Sequence, residues 1–125
     1  MSITHLIYSI CNGILFLTMY KKILAAVNEH LNSEVSARYA IEFSRITDSK
    51  LYLCYIAEKD VSARAFKLAE ATVKRLFLTA KDRGIKAESI FASGDPADKI
   101  REVVTTEGIN IVFAATRRKD IERRF

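Results

Sequence analysis

The 125-residue sequence is poor in the residues from which metal sites and disulfide frameworks are built, with two cysteines and two histidines. Cys11 and Cys54 match no spaced metal motif, and no cluster of cysteines or acids brings His5 or His30 to metal-ligand spacing. A chain of this length can bury a core without disulfides or metals. Two thiols in a chain of this size indicate a reducing compartment. The sequence therefore predicts no metal site and a cytoplasmic protein.

A membrane-spanning run is also missing. Residues 6–19 are apolar, but they are about fourteen where a transmembrane helix needs about 20, and Asn12 and Gly13 interrupt them. No basic residue precedes the run, as a signal peptide would require. Because Asn-Gly between two β-rich runs suits a two-residue type I′ turn, we predict that residues 1–18 are an apolar extension forming a β-hairpin. The alternative is that Met19 is the true start and that residues 1–18 are upstream sequence.

The net charge of +5 gives little indication of a charged partner. Much of the basic excess lies in residues 117–125, which hold five Arg or Lys and two acids. Nucleic acid or an acidic surface could bind there, but a solvated helix face explains the same composition. We predict no nucleic-acid partner and no membrane association.

What the sequence does contain is an alternation of apolar strands and amphipathic helices. Residues 23–27 are five consecutive apolar residues, which is typical of a strand covered on both faces. The pattern predicts the order βαβαβαβ, with helices near residues 33–46, 61–83 and 96–107 and further strands at 51–57, 85–92 and 109–115. Crossovers between parallel strands are right-handed, so this order predicts an α/β doubly wound parallel sheet with helices on both faces.

In the first helix, Asn32 or Ser33 is the predicted N-cap, because either side-chain oxygen can accept from the first-turn N–H groups. Apolar side chains recur there at three- and four-residue spacing, which predicts an apolar stripe of Val35, Tyr39, Phe43 and Ile46, flanked by Ala37, Ala40 and Ile41. In the third helix, Asp95 is the predicted cap and Pro96 the first helical residue. Gly84 and Gly108 are predicted to end the second and third helices.

Ligands of open α/β sheets bind at the carboxyl ends of the strands, where the strand order reverses. The first strand ends at Ala26 and Val27 and continues into the polar Asn28. Residues 55–57 should lie beside it. A small-molecule site is therefore expected to include Asn28.

Residues 19–125 resemble a universal stress protein. The resemblance is carried by MYKKILAAVN, by the helix and strand SARYAIEFSRITDSKLYLCYIAE, and by the third crossover GDPADKIREVVTTEGINIVF. It implies a Rossmann-like fold with strand order 3-2-1-4-5, a homodimer formed through the fifth strand and, in one branch, a site for ATP or AMP without a dedicated catalytic apparatus.

The resemblance also assigns candidate nucleotide-site residues, together with Ala26 and Val27. The acidic residue of that branch falls on Asn28, and the residue whose backbone contacts adenine falls on Ile56. The phosphate loop begins at Ala115 and continues through Thr116, Arg117 and Arg118, with Ala115 and Arg118 in place of its first two glycines. Glycines let the backbone approach phosphate closely, so their loss predicts weak or absent ATP binding. Alternatively, Arg117, Arg118 and Lys119 replace the lost N–H donors.

By the same resemblance, the family's last helix and fifth strand are missing, so the domain is C-terminally truncated and the order is 3-2-1-4. The fourth strand would then be an uncovered edge, which proteins normally avoid. We predict that residues 6–11 or 14–18 of the hairpin pair beside it, either in the same chain or from a partner. A further alternative is that the chain is a fragment of a longer protein.

The resulting expectation is a non-enzymatic stress-response protein that acts through dimerisation or a protein partner and needs no cofactor. The alternative is an adenine-nucleotide binding protein or slow ATP hydrolase that uses ATP or AMP with Mg.

Overall fold

The computed structural model describes residues 21–28 and 30–115, and the structural statements below concern these residues. The elements follow one another in the predicted alternating order. They are β1 (Lys22–Val27), α1 (Leu31–Thr47), β2 (Lys50–Ala57), α2 (Ala63–Asp82), β3 (Ala87–Ser93), α3 (Pro96–Glu107) and β4 (Ile111–Phe113).

The four strands form one parallel sheet in the order β3-β2-β1-β4, which confirms the predicted α/β fold and strand order. In β1, Ala25 pairs with Leu53 of β2 on one side and with Phe113 of β4 on the other. This central position explains the uninterrupted apolar run of β1, because both of its faces are covered. The predicted pairing of residues 6–11 or 14–18 beside β4 lies outside the described residues.

The sheet separates two apolar clusters of unequal size. On one face, α1 and α2 pack against the sheet and form the larger cluster, which includes Ile23, Leu53, Val73 and Leu76. On the other face, α3 covers a smaller cluster around Leu24, Tyr52, Cys54, Ile56 and Ile109. No residue of α3 is fully buried, whereas α1 and α2 each have several. The described part of the fold is therefore more tightly covered on the α1 and α2 face.

The predicted main stripe of α1 is largely wrong, whereas its predicted flanking residues Ala37, Ala40 and Ile41 are buried. Phe43 packs partly buried against Phe113, with ring centroids 5.7 Å apart, but Val35, Tyr39 and Ile46 are exposed. The residues of α1 that are buried are mostly small: Ser33, Ala37, Ala40, Ile41 and Ser44. Small side chains let the helix backbone lie close to the sheet, so the larger apolar residues of α1 are left on its outer face.

The helix ends are mostly as predicted. Asp95 caps α3, its carboxylate accepting from the Asp98 N–H at 3.1 Å, and Gly108 ends the helix with a left-handed φ of 71°. The predicted cap of α1 is wrong, because the helix begins at Leu31 and its N-cap is His30, whose side chain makes no capping hydrogen bond.

No helix in the described ranges has both the length and the apolar character needed to cross a membrane.

Candidate functional site

The strand order reverses between β1 and β4. The chain leaves β1 through α1 toward β2, whereas α3 carries it back across the sheet to β4 on the other side of β1. In sheets of this kind, the crevice outside the carboxyl ends of the two diverging strands is the usual ligand position. The candidate site is therefore the sheet edge that begins after Val27 and Phe113.

The structure brings the described candidate residues to this edge. Asn28 follows the end of β1, and Val27 pairs with Tyr55, so Asn28 lies level with Ile56 in β2. Ala115 is two residues beyond Phe113, which pairs with Ala25, and this places it toward the same end of the sheet. The remaining described candidates, Ala26 and Val27, are the last two residues of β1. Thr116, Arg117 and Arg118 lie outside the described residues.

The side chain of Asn28 is held by its own loop. Its Oδ1 accepts a 2.8 Å hydrogen bond from the backbone N–H of His30, which is the local turn that asparagine commonly makes with the residue two positions on. Its amide group has no hydrogen-bond partner among the described residues. Asn28 therefore presents a neutral amide donor at the candidate site, and its side-chain oxygen already accepts one hydrogen bond.

Ser33 supports this loop and was not identified from the sequence as a residue of the site. Its hydroxyl accepts from the backbone N–H of Asn28 at 3.0 Å and lies 2.9 Å from the carbonyl oxygen of His30, to which it donates. The side chain is 1% exposed. Ser33 thus fixes the polypeptide between β1 and α1, and the sequence pattern alone gave it the role of a helix cap.

The backbone at the start of the predicted phosphate loop differs from a glycine loop. In the described residues, the only non-glycine residue with a positive φ is Asp48, at the far end of α1, so Ala115 has an ordinary backbone conformation. The carboxyl ends of the strands do contain one glycine with unusual geometry, Gly94 after β3, with φ of 134°. The N–H of Gly94 already has a hydrogen-bond partner within the fold, because it donates to the Ala57 carbonyl at 3.0 Å.

Among the described residues next to the site, there is neither a reactive thiol nor a group that could form a metal centre. Cys54, which pairs with Ala26, is fully buried, and burial raises the pKa of its thiol to about 11, so the thiol stays protonated at neutral pH. No group of histidine, cysteine and acidic side chains in the described part of the chain could hold a metal ion.

A surface depression lies at the opposite, amino end of the strands. Its lining residues are mostly basic: Lys22, Lys50, Lys81, Lys86, Ala87 and Glu88. Two of these lysines are engaged by the protein itself, since Lys50 forms an ion pair with Glu88 and Lys22 donates to the Glu107 carbonyl at 2.9 Å. The depression therefore does not belong to the candidate site.

Comparison with known proteins identifies one family. The sequence profile described as the universal stress protein family matches residues 19–125. Comparison of the sequence with curated proteins finds no match.

Solved structures share the fold at low sequence identity. A hypothetical protein whose biochemical function was assigned from its structure has 18% identity and a TM-score of 0.67, covering 79% of this chain and 76% of its own. A universal stress protein in complex with cAMP has 15% identity and a TM-score of 0.61, covering 75% of each chain. A universal stress protein family protein from Arabidopsis thaliana with AMP bound has 17% identity and a TM-score of 0.56, covering 75% of this chain and 76% of its own.

Proposed function

We propose that this chain, which belongs to the universal stress protein family, is a non-enzymatic stress-response protein that acts through a second copy of itself or a protein partner and binds ATP or AMP weakly or not at all. The observation that carries the proposal is the hydrogen bond from the His30 N–H to Asn28 Oδ1. A nucleotide at this edge of the sheet would meet a neutral amide whose oxygen already accepts one hydrogen bond, where a carboxylate would offer a negative charge and a second acceptor oxygen.

The phosphate side of the site supports the same proposal. A phosphate loop binds through several backbone N–H groups that converge on the anion, and glycines allow this convergence because they have no Cβ. Ala115 and Arg118 replace two of these glycines. The Cβ atoms at these two positions restrict the backbone and hinder its close approach to the phosphate, so the affinity for ATP is expected to be low.

The second candidate function is adenine-nucleotide binding, with slow ATP hydrolysis as its extension. It is favoured by the two relatives of the same fold that are described with cAMP and with AMP. It is also favoured by the common position of Asn28, Ile56 and Ala115 at the reversal of strand order. In that case Arg117, Arg118 and Lys119 would bind the phosphates through their cationic side chains in place of backbone donors.

Thermal unfolding with and without millimolar Mg-ATP or AMP separates the two candidates. A ligand present at about 100 times its dissociation constant adds about 2.7 kcal/mol to stability, which gives a clear rise in melting temperature. We expect no rise. A rise with ATP or AMP that is absent with Mg-GTP would overturn the proposal and favour a nucleotide-binding protein.

The variant Asn28→Asp is a sharp control for this experiment. Asp keeps an oxygen that can accept from the His30 N–H, so the loop is retained while a carboxylate is introduced. We expect Asn28→Asp to unfold at nearly the wild-type temperature and still to show no shift with ATP, because the phosphate side is unchanged. Light scattering in the same samples gives the oligomeric state, and a dimer is the result expected for action through a second copy.

A further inference from the structure

Four large apolar side chains form a ridge along the outer face of α1: Leu31, Val35, Tyr39 and Ile46. They are 76%, 45%, 67% and 60% exposed, respectively. Their spacing of four, four and seven residues places them on one side of the helix, since about 3.6 residues complete a turn. We call them the α1 ridge. The ridge lies opposite the buried face formed by the small residues of α1, which is the reverse of an ordinary amphipathic surface helix.

The ridge differs from the other exposed apolar residues of the described chain. Those are spread over α2, β3 and β4: Leu68, Leu78, Phe91 and Val112. Single exposed apolar residues are normal on soluble proteins, whereas a contiguous apolar surface usually marks an interaction site. The α1 ridge is therefore a candidate docking surface.

Charged side chains lie beside the ridge and, at Glu42, between Tyr39 and Ile46, but they are paired with one another. Glu34 accepts from Arg38 and Arg75, and Glu42 accepts from Arg45 and Arg83. These pairs leave little charge for a charged partner to complement. The chemistry of the ridge therefore fits an uncharged apolar occupant.

The same chain supplies a segment of this kind. Residues 6–18, LIYSICNGILFLT, contain no charged residue and no histidine. This segment enters the described fold at Lys21, whose carbonyl accepts a 3.0 Å hydrogen bond from the N–H of Lys50. Since Lys50 is only three residues after the end of α1 at Thr47, the segment joins the fold near the Ile46 end of the ridge.

The lengths agree as well. From Leu31 to Ile46 the helix rises by about 22 Å at 1.5 Å per residue. Two strands of about six residues, joined by the predicted Asn12-Gly13 turn, would be about 20 Å long at about 3.3 Å per residue. A folded-back segment of this size can cover the ridge from Ile46 to the first turn of α1. We propose that residues 6–18 pack on the α1 ridge and complete the apolar core on the outer side of α1.

The edge of β4 is the other location that this segment could reach, because β4 also begins near Lys22, whose carbonyl accepts from the Asn110 N–H. It offers much less apolar surface. β4 is three residues long, and Val112, which is 40% exposed, is its one exposed large apolar side chain. Because apolar burial scales with the area removed from water, the ridge is the favoured site.

Native Cys11 lies within the segment and allows the proposal to be tested in the full-length chain by disulfide trapping. The buried Cys54 is first replaced, as Cys54→Ala, so that Cys11 is the sole remaining native thiol. Single cysteines are then introduced on the ridge as Val35→Cys, Tyr39→Cys or Ile46→Cys. Matched controls at exposed apolar positions elsewhere are Leu78→Cys on α2 and Val112→Cys on β4. Oxidation is carried out at low protein concentration, and the bonded peptides are identified by mass spectrometry.

We expect an intramolecular disulfide between Cys11 and at least one ridge position, formed in severalfold greater yield than with either control. A disulfide mainly to position 112 would place the segment at the β4 edge and overturn the proposal. Bonds between chains would assign the ridge to a second copy and also overturn it. Absence of any ridge disulfide in variants that keep their wild-type melting behaviour would overturn it as well.

Limited chymotrypsin digestion provides a second readout without oxidation. Tyr8 and Phe16 lie in the segment and are cleavable once it is released. The paired change Tyr39→Gln and Ile46→Gln should make cleavage in residues 6–18 severalfold faster. The matched change Leu68→Gln and Leu78→Gln on α2 should leave the rate unchanged. Equal cleavage rates for the two double variants would contradict packing on the ridge.

Discussion

Arg75 on α2 donates a 2.7 Å hydrogen bond to the carboxylate of Glu34 on α1, and the two residues are 41 positions apart. Two turns farther along both helices, Arg83 donates to Glu42 with the same separation of 41 positions and the same distance. The repeated offset shows that α1 and α2 run side by side in a fixed register. Two acidic residues of α1, one arginine within α2 and Arg83, which caps the end of α2, hold this register on the outer side of the larger apolar cluster.

Glu34→Gln should reduce the free energy of unfolding at neutral pH by about 0.5 to 1 kcal/mol, because this partly exposed carboxylate loses its ion pairs with both arginines. Chemical denaturation measures this loss. The matched control is Glu102→Gln, which breaks only an exposed pair with Lys99 and should change stability less. An equal loss in the two variants would show that the link between the helices adds nothing.

The same residue gives a pH dependence. The hydrogen bond from Arg75, followed by that from Arg38, lowers the pKa of Glu34 in the folded protein. The unfolded chain therefore binds this proton more readily as the pH falls. The stabilisation is complete above the ordinary carboxyl pKa of about 4.3 and is lost as the pH decreases through the lower folded value. Wild-type and Glu34→Gln stabilities should therefore approach each other as the pH falls below the ordinary carboxyl pKa of about 4.3.

Two buried serines of α1 should respond oppositely to alanine. Ser33 and Ser44 are both 1% exposed, but the hydroxyl of Ser33 bonds to the Asn28 and His30 backbone, whereas Ser44 Oγ has no partner among the described residues. Ser33→Ala should cost about 1 to 2 kcal/mol because it leaves buried backbone groups unsatisfied. Ser44→Ala should be neutral or stabilising. Urea denaturation of both variants tests this, and a comparable loss at Ser44 would contradict the assignment.

The thiol of Cys54 should be protected from modification. It is fully buried, and its pKa is raised to about 11 by that burial, so little thiolate forms at pH 8. In a Cys11→Ser variant, Ellman's reagent should react slowly with the native protein and rapidly after addition of guanidinium chloride. Fast labelling of the native variant would show that the sheet opens at β2. The parent chain without the reagent serves as the reference for absorbance.

Asp95→Ala should destabilise the protein by about 1 kcal/mol through loss of the cap on α3. Asp95→Asn is the matched variant, because an asparagine oxygen can accept the same hydrogen bond from the Asp98 N–H. Thermal unfolding should therefore place Asp95→Asn close to the wild type and Asp95→Ala below it. Similar melting temperatures for the two variants would show that the charge, and not the cap, is what matters.

The fold was predictable because several local patterns agreed. The uninterrupted apolar run of β1 required two covered faces, and Asp95, Pro96 and Gly108 marked the ends of α3. The prediction failed for α1, where two stripes have the same helical period. The sequence pattern favours the stripe with the larger apolar residues, such as Tyr39, as the core. In the structure, the residues that pack against the sheet are instead on the stripe with Ala37 and Ala40. Which stripe is buried depends on the distance between helix and sheet, and the spacing of apolar residues does not reveal that distance.

The site was predictable in position and much less so in detail. Asn28 could be assigned to the sheet edge because it is the first polar residue after a buried strand. The engagement of its oxygen by the His30 N–H, and the support from Ser33, depend on the conformation of the short link between β1 and α1. No residue pattern in the sequence indicates either hydrogen bond, so only the structure identifies them. The nucleotide-site role of these residues stays a prediction.

The unequal covering of the two sheet faces separates the described chain into parts that should open on different timescales. α3 has no fully buried residue, whereas α1 and α2 hold the larger cluster between them. Amide protons of α3 should therefore exchange with deuterium through a local opening, well before those of β1 and β2, which exchange only when the whole domain unfolds. The opening of α3 would uncover Tyr52, Cys54 and Ile109, leaving the other face intact. Local unfolding is thus expected to be confined to α3, while α1, α2 and the sheet unfold together.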